Sequence, residues 1–433
     1  MKVSLPPALL GLLLASLSTT TEAWALKPQK TSVGKGIYRR GFLVGAATAV
    51  VLGTATVAGA AVVVDKQLVD NSNNKKAPYE PVSDSLTDQV ILITGGSTGL
   101  GLESAKRLAA AGATIVLTSR TSSKGETAVQ SVQDYLTGKK GMSEGKIYNL
   151  VLDLDDLSSV KAFPELFKTL SLGPIDVLLN NAGVMAIPDR QLTKDGYERT
   201  FQSNHLGHFV LTAGLFPFLN KSKSTVINVS SEAYNFAQSS SGKRSGLDLT
   251  NLNGERKYGP WSSYGLSKLA NILFTKELQS RADAAGESWL TTVTLHPGAV
   301  QTDLGRNLVG EDKWEDLKTN GPTGLQAVLF NALNSVTLTV PEGASTQIFL
   351  AAGANGALKK GAFYEDLKEK KNLPKWAIDE TMAKELWKKS EELGGIQFDV
   401  VSSTPATAES SDEKVIISEA EAEKKPGDAP KAV

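Results

Sequence analysis

The sequence contains no cysteine and only three histidines among its 433 residues. The absence of cysteine excludes disulfides, thiolate catalysis and zinc or iron–sulfur sites with cysteine ligands. The histidines, His205, His208 and His296, are too few and too scattered to indicate a metal site, and we expect none. The 46 basic side chains balance 46 acidic ones. We therefore expect neither nucleic acid nor another strongly charged partner.

The N-terminal region looks like a series of targeting segments. Residues 1–25 have an apolar run that ends in Ala23-Trp24-Ala25, which is the layout of a signal peptide; a short buried helix is the alternative. Residues 26–41 are basic and hydroxylated and contain no acid, as is typical of a transit segment. Together these segments resemble the layered targeting of proteins to the complex plastids of algae, with the thylakoid or its lumen as the expected destination. The alternative is an endomembrane protein.

Residues 42–64 carry no charge and are long enough to span a bilayer. Arg39-Arg40 just before them resembles a twin-arginine export pattern. This segment is therefore either a membrane anchor or a second, cleavable export signal. We interpret residues 65–87 as a polar linker, and residues 401–433 as a disordered tail, because large apolar residues are rare there.

Residues 88–400 form one domain in which strand patterns alternate with helix patterns. Regular alternation predicts an α/β fold, namely a Rossmann-type doubly wound parallel sheet in a single catalytic domain. The predicted strands are Gln89–Thr94, Thr114–Ser119, Ile147–Leu154, Asp176–Leu179, Thr225–Ser230 and Trp289–Leu295, and long helices are predicted at Tyr197–Leu219 and Ser262–Ala282.

A glycine-rich turn, "TGGSTGLG", stands between the first predicted strand and a helix. Gly95, Gly99 and Gly101 let the backbone approach a phosphate closely. The helix N-terminus would supply N–H groups and a positive dipole end to a pyrophosphate. A tight structural turn is the other reading, but the strand before and the helix after favour a dinucleotide site.

The second predicted strand ends in Ser119-Arg120, and Lys124 follows soon after. Sites for NAD place an acid near this position to hold the ribose 2′-hydroxyl. A cation suits a 2′-phosphate better, because it forms a charge-assisted hydrogen bond. The sequence therefore favours NADP(H) over NAD(H), although a solvated surface arginine would look the same.

Tyr264 and Lys268 lie four residues apart and share one face of a predicted helix. A free phenol titrates near 10, and a nearby ammonium lowers that pKa. A tyrosine tuned in this way can give a proton to a carbonyl oxygen or take it back. Ser230-Ser231 ends the strand before this helix, and only one of two adjacent strand residues can face a site.

These motifs occur in the order TGxxxGxG, NNAG, Asn204, SS, YxxxK and PG over about 210 residues. The order resembles the short-chain dehydrogenase/reductase superfamily. "NNAGVM", "NHLGHF", "YGLSKLAN" and "HPGAVQTDL" are most similar to its retinol dehydrogenase-like branch, which is related to protochlorophyllide reductases. The resemblance covers about residues 88–392, including "GAFYED" and "AKELWKKSEELG".

The resemblance implies roles for individual residues. It implies that Tyr264 is the acid/base, that Lys268 also reaches the nicotinamide ribose, that Ser231 holds the substrate oxygen, and that Asn204 binds a water in a proton relay. The cofactor-binding residues that it implies are Gly95, Ser97, Thr98, Gly99, Leu100, Gly101, Ser119, Arg120, Lys124, Asp153, Leu154, Asn181, Ala182, Gly183, Tyr264, Lys268, Pro297, Gly298, Val300 and Thr302.

The resulting hypothesis is an NADP(H)-dependent carbonyl reductase or alcohol dehydrogenase for a lipophilic substrate. We expect pocket walls from Ile187–Arg190, residues 232–261 and residues 304–340. One alternative is protochlorophyllide reductase-like reduction of a tetrapyrrole, which the missing cysteine disfavours. Another is a non-enzymatic NADP(H)-sensing protein, since fold does not imply function.

Overall fold

The computed structural model describes residues 77–138, 145–237, 246–302, 311–321, 337–353 and 358–401. The predicted signal, transit and hydrophobic segments, most of the linker, and the tail beyond Val401 lie outside these residues. Among the described residues, no helix is both long and apolar enough to cross a bilayer.

A parallel sheet organises the described residues, and this confirms the predicted α/β class. Its spatial order is β3-β2-β1-β4-β5-β6-β7-β8, with parallel pairing throughout except for the antiparallel pair β7-β8. This is the doubly wound order of a Rossmann-type fold. The strands are β1 (Val90–Ile93), β2 (Thr114–Ser119), β3 (Ile147–Val151), β4 (Val177–Asn180), β5 (Ser224–Val229), β6 (Leu290–His296), β7 (Phe363–Glu365) and β8 (Lys368–Glu369).

Helices cover both faces of the sheet. They are α1 (Gly99–Ala110), α2 (Ser122–Thr137), α3 (Leu157–Lys168), α4 (Arg199–Phe201), α5 (Gly207–Leu215), α6 (Pro260–Ala284), α7 (Glu311–Asn320), α8 (Val340–Ala351) and α9 (Glu380–Gly394). Side chains alternate along β1, so Leu92 joins the core under α3, α5, α6 and α9, while Ile91 and Ile93 join the core under α1, α2 and α8.

The predicted helix Tyr197–Leu219 is not one regular α-helix. Between α4 and α5, Gln202–Leu206 forms a π turn, in which the Gly207 N–H donates to the carbonyl five residues earlier, that of Gln202. A short 3-10 turn, Phe216–Phe218, follows α5. A π turn carries one extra residue, and such turns are frequent at functional sites.

The end of the predicted linker packs against the domain. Leu86 is buried in the core beside α1 and α8. The Tyr79 ring meets Phe349 edge-on at 5.4 Å, and the Tyr79 N–H donates to Ser345 Oγ at 3.0 Å. The apolar side chains of Tyr79 and Leu86 therefore extend the packed unit upstream of residue 88.

Helix α6 lies close to the segment that follows β5. A Cβ atom on Gly265 would come within 2.5 Å of the Ala233 oxygen and 2.8 Å of the Ala237 nitrogen. Both partners belong to the 3-10 turn Glu232–Phe236 or follow it directly. Gly265 therefore lets α6 approach the end of β5 at backbone distance.

We predict that Gly265→Ala lowers the free energy of unfolding by about 1–3 kcal/mol, because the added methyl group meets backbone that cannot move aside. Denaturant titration followed by circular dichroism measures this change. The control is Gly138→Ala at the end of α2, where the nearest atom would lie 3.5 Å away. Equal stability of the two variants would contradict the close approach of α6.

Candidate active site

The predicted site groups gather at one edge of the sheet, where the parallel strands have their carboxyl ends. The glycine-rich turn follows β1, Asn181–Gly183 follow β4, Ser231 follows β5, and Pro297-Gly298 follow β6. The chain order reverses between β1 and β4. Ligands of open α/β sheets bind in the crevice at such a reversal.

The glycine-rich turn has the backbone that its sequence requires. Gly95 and Gly99 have φ angles of +63° and +55°, in the left-handed region that glycine adopts without strain. A Cβ atom on Gly101 would come within 2.4 Å of the Gly95 oxygen and 2.7 Å of Asn181 Nδ2. The first turn of α1 is therefore folded tightly onto the end of β1.

The N-terminus of α1 is suited to an anion. Thr98 is the exposed N-cap residue, and its side chain makes no capping hydrogen bond. The first N–H groups of a helix have no intrahelical acceptor, so those of Gly99, Leu100 and Gly101 can serve a pyrophosphate. Ser97 is half-buried in the same turn. The residues present therefore fit the diphosphate of a dinucleotide.

The end of β2 presents two exposed cations. Ser119 is buried, and its hydroxyl has two acceptors within reach of its single proton, the Thr121 oxygen at 2.8 Å and Asn149 Oδ1 at 3.0 Å. Arg120 and Lys124 follow it and are exposed. Neither side chain has an ion-pair or hydrogen-bond partner within the described ranges. Both charges are therefore available to a ligand at this strand end.

The ends of β3 and β4 are held by side-chain hydrogen bonds. Asp153 Oδ1 accepts the Asp155 N–H at 3.0 Å, and Leu154 next to it is buried. Asn181 Nδ2 donates to the oxygens of Thr94 at 2.8 Å and Gly95 at 3.3 Å. Ala182 packs against Gly95. These contacts tie the Asn181 loop to the glycine-rich turn.

The two serines at the end of β5 point in different directions. The Ser230 hydroxyl donates to the Lys268 backbone oxygen at 2.7 Å, so it is engaged with α6. Ser231 is half-buried, accepts the Ala233 N–H at 3.2 Å and hydrogen-bonds to the Tyr264 side chain. Ser231 is thus the serine beside the tyrosine.

Tyr264 and Lys268 are both buried on α6. The Lys268 Nζ atom lies 5.6 Å from the centre of the Tyr264 ring and donates to the Val229 oxygen at 2.9 Å. A Cβ atom on Gly183 would lie 3.6 Å from this Nζ. Gly183 therefore leaves the space next to the ammonium free of a side chain.

The expected depression of the tyrosine pKa is wrong for this arrangement. Burial raises the pKa of Tyr264 to about 12, and the hydrogen bond with Ser231 opposes this rise. Burial also lowers the pKa of Lys268 to about 8. The sequence placed the two groups close together but gave no measure of burial, and burial disfavours both charged forms.

Asn204 lies in the π turn, and its amide holds two other parts of the site. Its Oδ1 accepts the Val184 N–H at 2.8 Å, and its Nδ2 donates to the Val184 oxygen and to Ser267 Oγ, both at 2.9 Å. The Ser267 hydroxyl in turn donates to the Tyr264 backbone oxygen at 2.7 Å. Asn204 therefore connects the loop after β4 with the helix that carries Tyr264.

The loop after β6 lies next to the start of α1. A Cβ atom on Gly99 would be 3.7 Å from Thr302 Cγ2. Gly298 has a φ angle of +92°, and a Cβ atom on Gly343 would overlap Val300, at 2.4 Å from its Cγ2 atom. Pro297 and Thr302 are half-buried. The loop thus lies beside the start of α1 through Thr302 and against α8 through Val300.

One hydrogen-bonded pair near the site was not predicted from the sequence, and one aromatic pair lies in the segment 232–261 that was expected to form a pocket wall. Thr94 and His208 are buried and hydrogen-bonded to each other at 2.8 Å. Phe236 and Trp261 are half-buried and lie edge to face at 5.8 Å, and Trp261 lies 6.4 Å from Tyr264. The signal for His208 was a histidine within an apolar helix pattern, where a buried imidazole needs partners.

Comparison with known proteins gives the same picture. A family model described as short chain dehydrogenase matches residues 89–242. Retinol dehydrogenase 14 of Mus musculus is 36% identical over 315 residues, which cover 71% of this chain and 86% of that protein. Polyprenol dehydrogenase of Homo sapiens is 33% identical over 322 residues, covering 73% and 88%.

A similar solved structure is that of an uncharacterised protein from Mycobacterium paratuberculosis. It is 31% identical, has a TM-score of 0.54, and covers 74% of this chain and 99% of its own. The similarity therefore extends across the whole of that structure.

We predict that Lys268→Met stabilises the protein at pH 7. The pKa of Lys268 drops from 10.5 to about 8, which corresponds to about 3 kcal/mol of unfavourable burial of charge. The Val229 oxygen keeps a donor in the variant, because Asn271 Nδ2 also donates to it at 3.1 Å. Denaturant unfolding measures the difference from the wild type.

The free energy of unfolding should depend on pH in one direction. Between pH 8 and 10.5 the unfolded chain binds more protons than the folded one, so wild-type stability rises with pH in this window. The advantage of Lys268→Met is therefore full below pH 8 and shrinks toward pH 10.5. A variant that is less stable than the wild type at pH 7 would show that the ammonium is well accommodated.

Proposed function

The chain belongs to the short-chain dehydrogenase/reductase superfamily as a retinol dehydrogenase-like member, and on that basis we propose that it is an NADP(H)-dependent oxidoreductase with Tyr264 as its acid/base. One observation carries the proposal. Tyr264, Ser231 and Lys268 meet at the carboxyl edge of the sheet, next to a glycine-rich turn that fits a diphosphate. A scaffold or sensing protein would need no such set.

The residues divide the reaction among themselves. The nicotinamide cofactor would supply or accept the hydride. The Ser231 hydroxyl, which is hydrogen-bonded to the Tyr264 side chain, would orient the substrate oxygen between the Ser231 and Tyr264 hydroxyl groups. Tyr264 would donate a proton to that oxygen as the carbonyl carbon is reduced. Lys268, with the space over Gly183 open beside it, would bind the ribose through its ammonium group.

The electrostatics favour carbonyl reduction at neutral pH. With its pKa raised to about 12 by burial, Tyr264 carries its proton at pH 7 and can act as an acid. Alcohol oxidation needs the phenolate, which burial disfavours. We infer that the reduction runs readily at neutral pH and that oxidation speeds up as the pH rises.

The preference for NADP(H) rests on the exposed cations at the end of β2. Arg120 and Lys124 stand where an acid would hold the ribose of NAD, and both are unpaired within the described ranges. A guanidinium can bind a phosphate through two parallel hydrogen bonds. The 2′-phosphate of the NADP(H) adenosine would form ion pairs with Arg120 and Lys124.

The proposed substrate is lipophilic. Phe236 and Trp261 form a half-buried aromatic wall next to Tyr264. Ile187, in the loop after β4, is buried, and its backbone oxygen accepts from the Tyr258 hydroxyl at 2.6 Å. The relatives named above act, by their names, on retinol and polyprenol, both apolar alcohols. Residues 304–310 and 322–336, expected to complete the pocket, lie outside the described residues.

We predict that Tyr264→Phe lowers kcat for carbonyl reduction by a factor on the order of 10² to 10⁴, because the variant keeps the ring but loses the proton donor. The assay uses the purified full chain with NADPH and a series of retinoid, steroid, quinone and aliphatic carbonyls. Within the aliphatic series, kcat/KM should rise with chain length if the wall binds apolar substrate.

The matched control for this variant is Tyr148→Phe on the outer strand β3, which should keep full activity. NADPH oxidation that survives Tyr264→Phe would contradict the mechanism. Tight NADPH binding without turnover of any carbonyl would instead favour the sensing protein.

Arg120→Gln should raise KM for NADPH by roughly tenfold or more, because a hydrogen bond to a charged group contributes about 1.5–3 kcal/mol. KM for NADH should change little. Lys168→Gln, which removes an exposed cation at the end of α3, is the control. Equal effects of Arg120→Gln on NADPH and NADH would mean that Arg120 does not read the 2′-phosphate.

A further inference from the structure

His208 is a buried imidazole that bridges two separate parts of the site. Its side chain is 1% exposed. The Nε2 atom lies 2.8 Å from Thr94 Oγ1, at the start of the glycine-rich turn. The Nδ1 atom lies 3.0 Å from the backbone oxygen of Asn204 in the π turn. The ring therefore connects the start of the glycine-rich turn with the π turn, whose Asn204 side chain is hydrogen-bonded to α6.

The partners define where the protons of this network lie. A carbonyl oxygen only accepts, so Nδ1 must donate to Asn204. The Thr94 oxygen accepts the N–H groups of Asn181 at 2.9 Å and Ala182 at 3.0 Å. Its own proton is therefore free for His208 Nε2, since the other acceptor, the Leu179 oxygen, lies farther away at 3.4 Å.

The ring is neutral in this arrangement. The pKa of His208 is lowered to about 4, mainly by burial and in smaller part by the charge of Lys268, while the hydrogen bond to Asn204 opposes the shift. The other titratable group that faces it is His205, whose pKa burial lowers to about 3. A neutral ring with Nδ1 protonated has a bare Nε2, which matches the donor that Thr94 offers.

The network continues to the proposed acid. From His208 it passes through Asn204, whose amide bonds to Ser267, and the Ser267 hydroxyl bonds to the backbone of Tyr264. At the other end, Thr94 fixes the loop that carries Asn181 and Ala182. One imidazole therefore stands between the backbone that would hold the cofactor and the helix that carries Tyr264.

We propose that His208 is a positioning residue that couples the nucleotide-binding turn to the Tyr264–Lys268 pair through a single tautomer of its ring. This inference rests on the proposed function, because its kinetic test needs a turnover reaction. The tautomer itself can be tested without any reaction.

The first test uses ¹⁵N-histidine NMR of the full chain, which contains only three histidines. One ring, identified by its loss in His208→Asn and in His208→Gln, should show a protonated Nδ1 and a bare Nε2. It should not titrate between pH 8 and 5.5, and its shifts should change when NADP⁺ is added. An Nε2–H tautomer, or titration near the ordinary value of about 6.5, would overturn the proposal.

The second test compares variants in carbonyl reduction. His208→Asn keeps a donor near Asn204 but cannot reach Thr94, so kcat should fall by roughly tenfold to a hundredfold. The equilibrium Kd for NADPH should stay within about threefold.

The control is His205→Gln. His205 is an equally buried histidine in the π turn, three residues before His208, but it bonds to Ser390 on α9. This variant should lower Tm yet keep kcat. A purely structural role for His208 would make the two variants alike, with lower Tm and unchanged kcat, and would overturn the proposal.

The two proposals fail in different ways. A wild-type protein that turns over no carbonyl contradicts the proposed function, while the NMR result still decides the tautomer and its response to NADP⁺. An active wild type with an equally active His208→Asn variant overturns only the role of His208. If His208→Asn does not fold, His208→Gln, which reaches Thr94 but has no donor near Asn204, must show the loss of kcat instead.

Discussion

The ammonium of Lys268 is held inside the protein, and much of the site is explained by what a buried cation needs. The ammonium group donates a hydrogen bond to the Val229 oxygen at the end of β5 and lies near the Tyr264 ring. Because Gly183 has no side chain, the space on another side of the ammonium group stays open. Burial weakens the charge of Lys268 and strengthens the hold of Tyr264 on its proton. The two effects together keep the Tyr264 hydroxyl protonated at neutral pH.

The parallel sheet brings these groups together because the strands that precede them all end at the same edge. Each strand delivers one group to the same edge, because parallel strands all end on that side. Glycines at positions 95, 99 and 101 then bring α1 close to the end of β1, and Gly265 does the same for α6 at the end of β5. Residues that lie about 200 positions apart in the chain, such as Gly99 and Thr302, thus meet without any disulfide.

The sequence predicted the strands well because their signal is local. The second predicted strand matches the structure, four others differ by one residue at each end, and the third ends at Val151 and not at Leu154. The π turn was missed, because a 3.6-residue periodicity contains no signal for one extra residue. Strands β7 and β8 were missed because they are only three and two residues long.

Within the site, spacing predicted which residues come together but not their electrostatics. The pair Tyr264 and Lys268 follows from helix geometry alone. The direction of the Tyr264 pKa shift depends on how deeply the phenol is buried and on Ser231 after β5, and no local pattern of the helix contains either. His208 was missed for the same reason, since its partners Thr94 and Asn204 are meaningful only once the strands and the π turn are in place.

The π turn at Gln202–Leu206 also limits which insertions and deletions this site can tolerate during evolution. Each residue of a helix turns the next by about 100°, so loss of one residue here would relax the turn and rotate Asn204 relative to His208. Insertions and deletions in most surface loops leave a buried site in place. In this segment a change of length by one would separate the two halves of the site, even with every side chain retained.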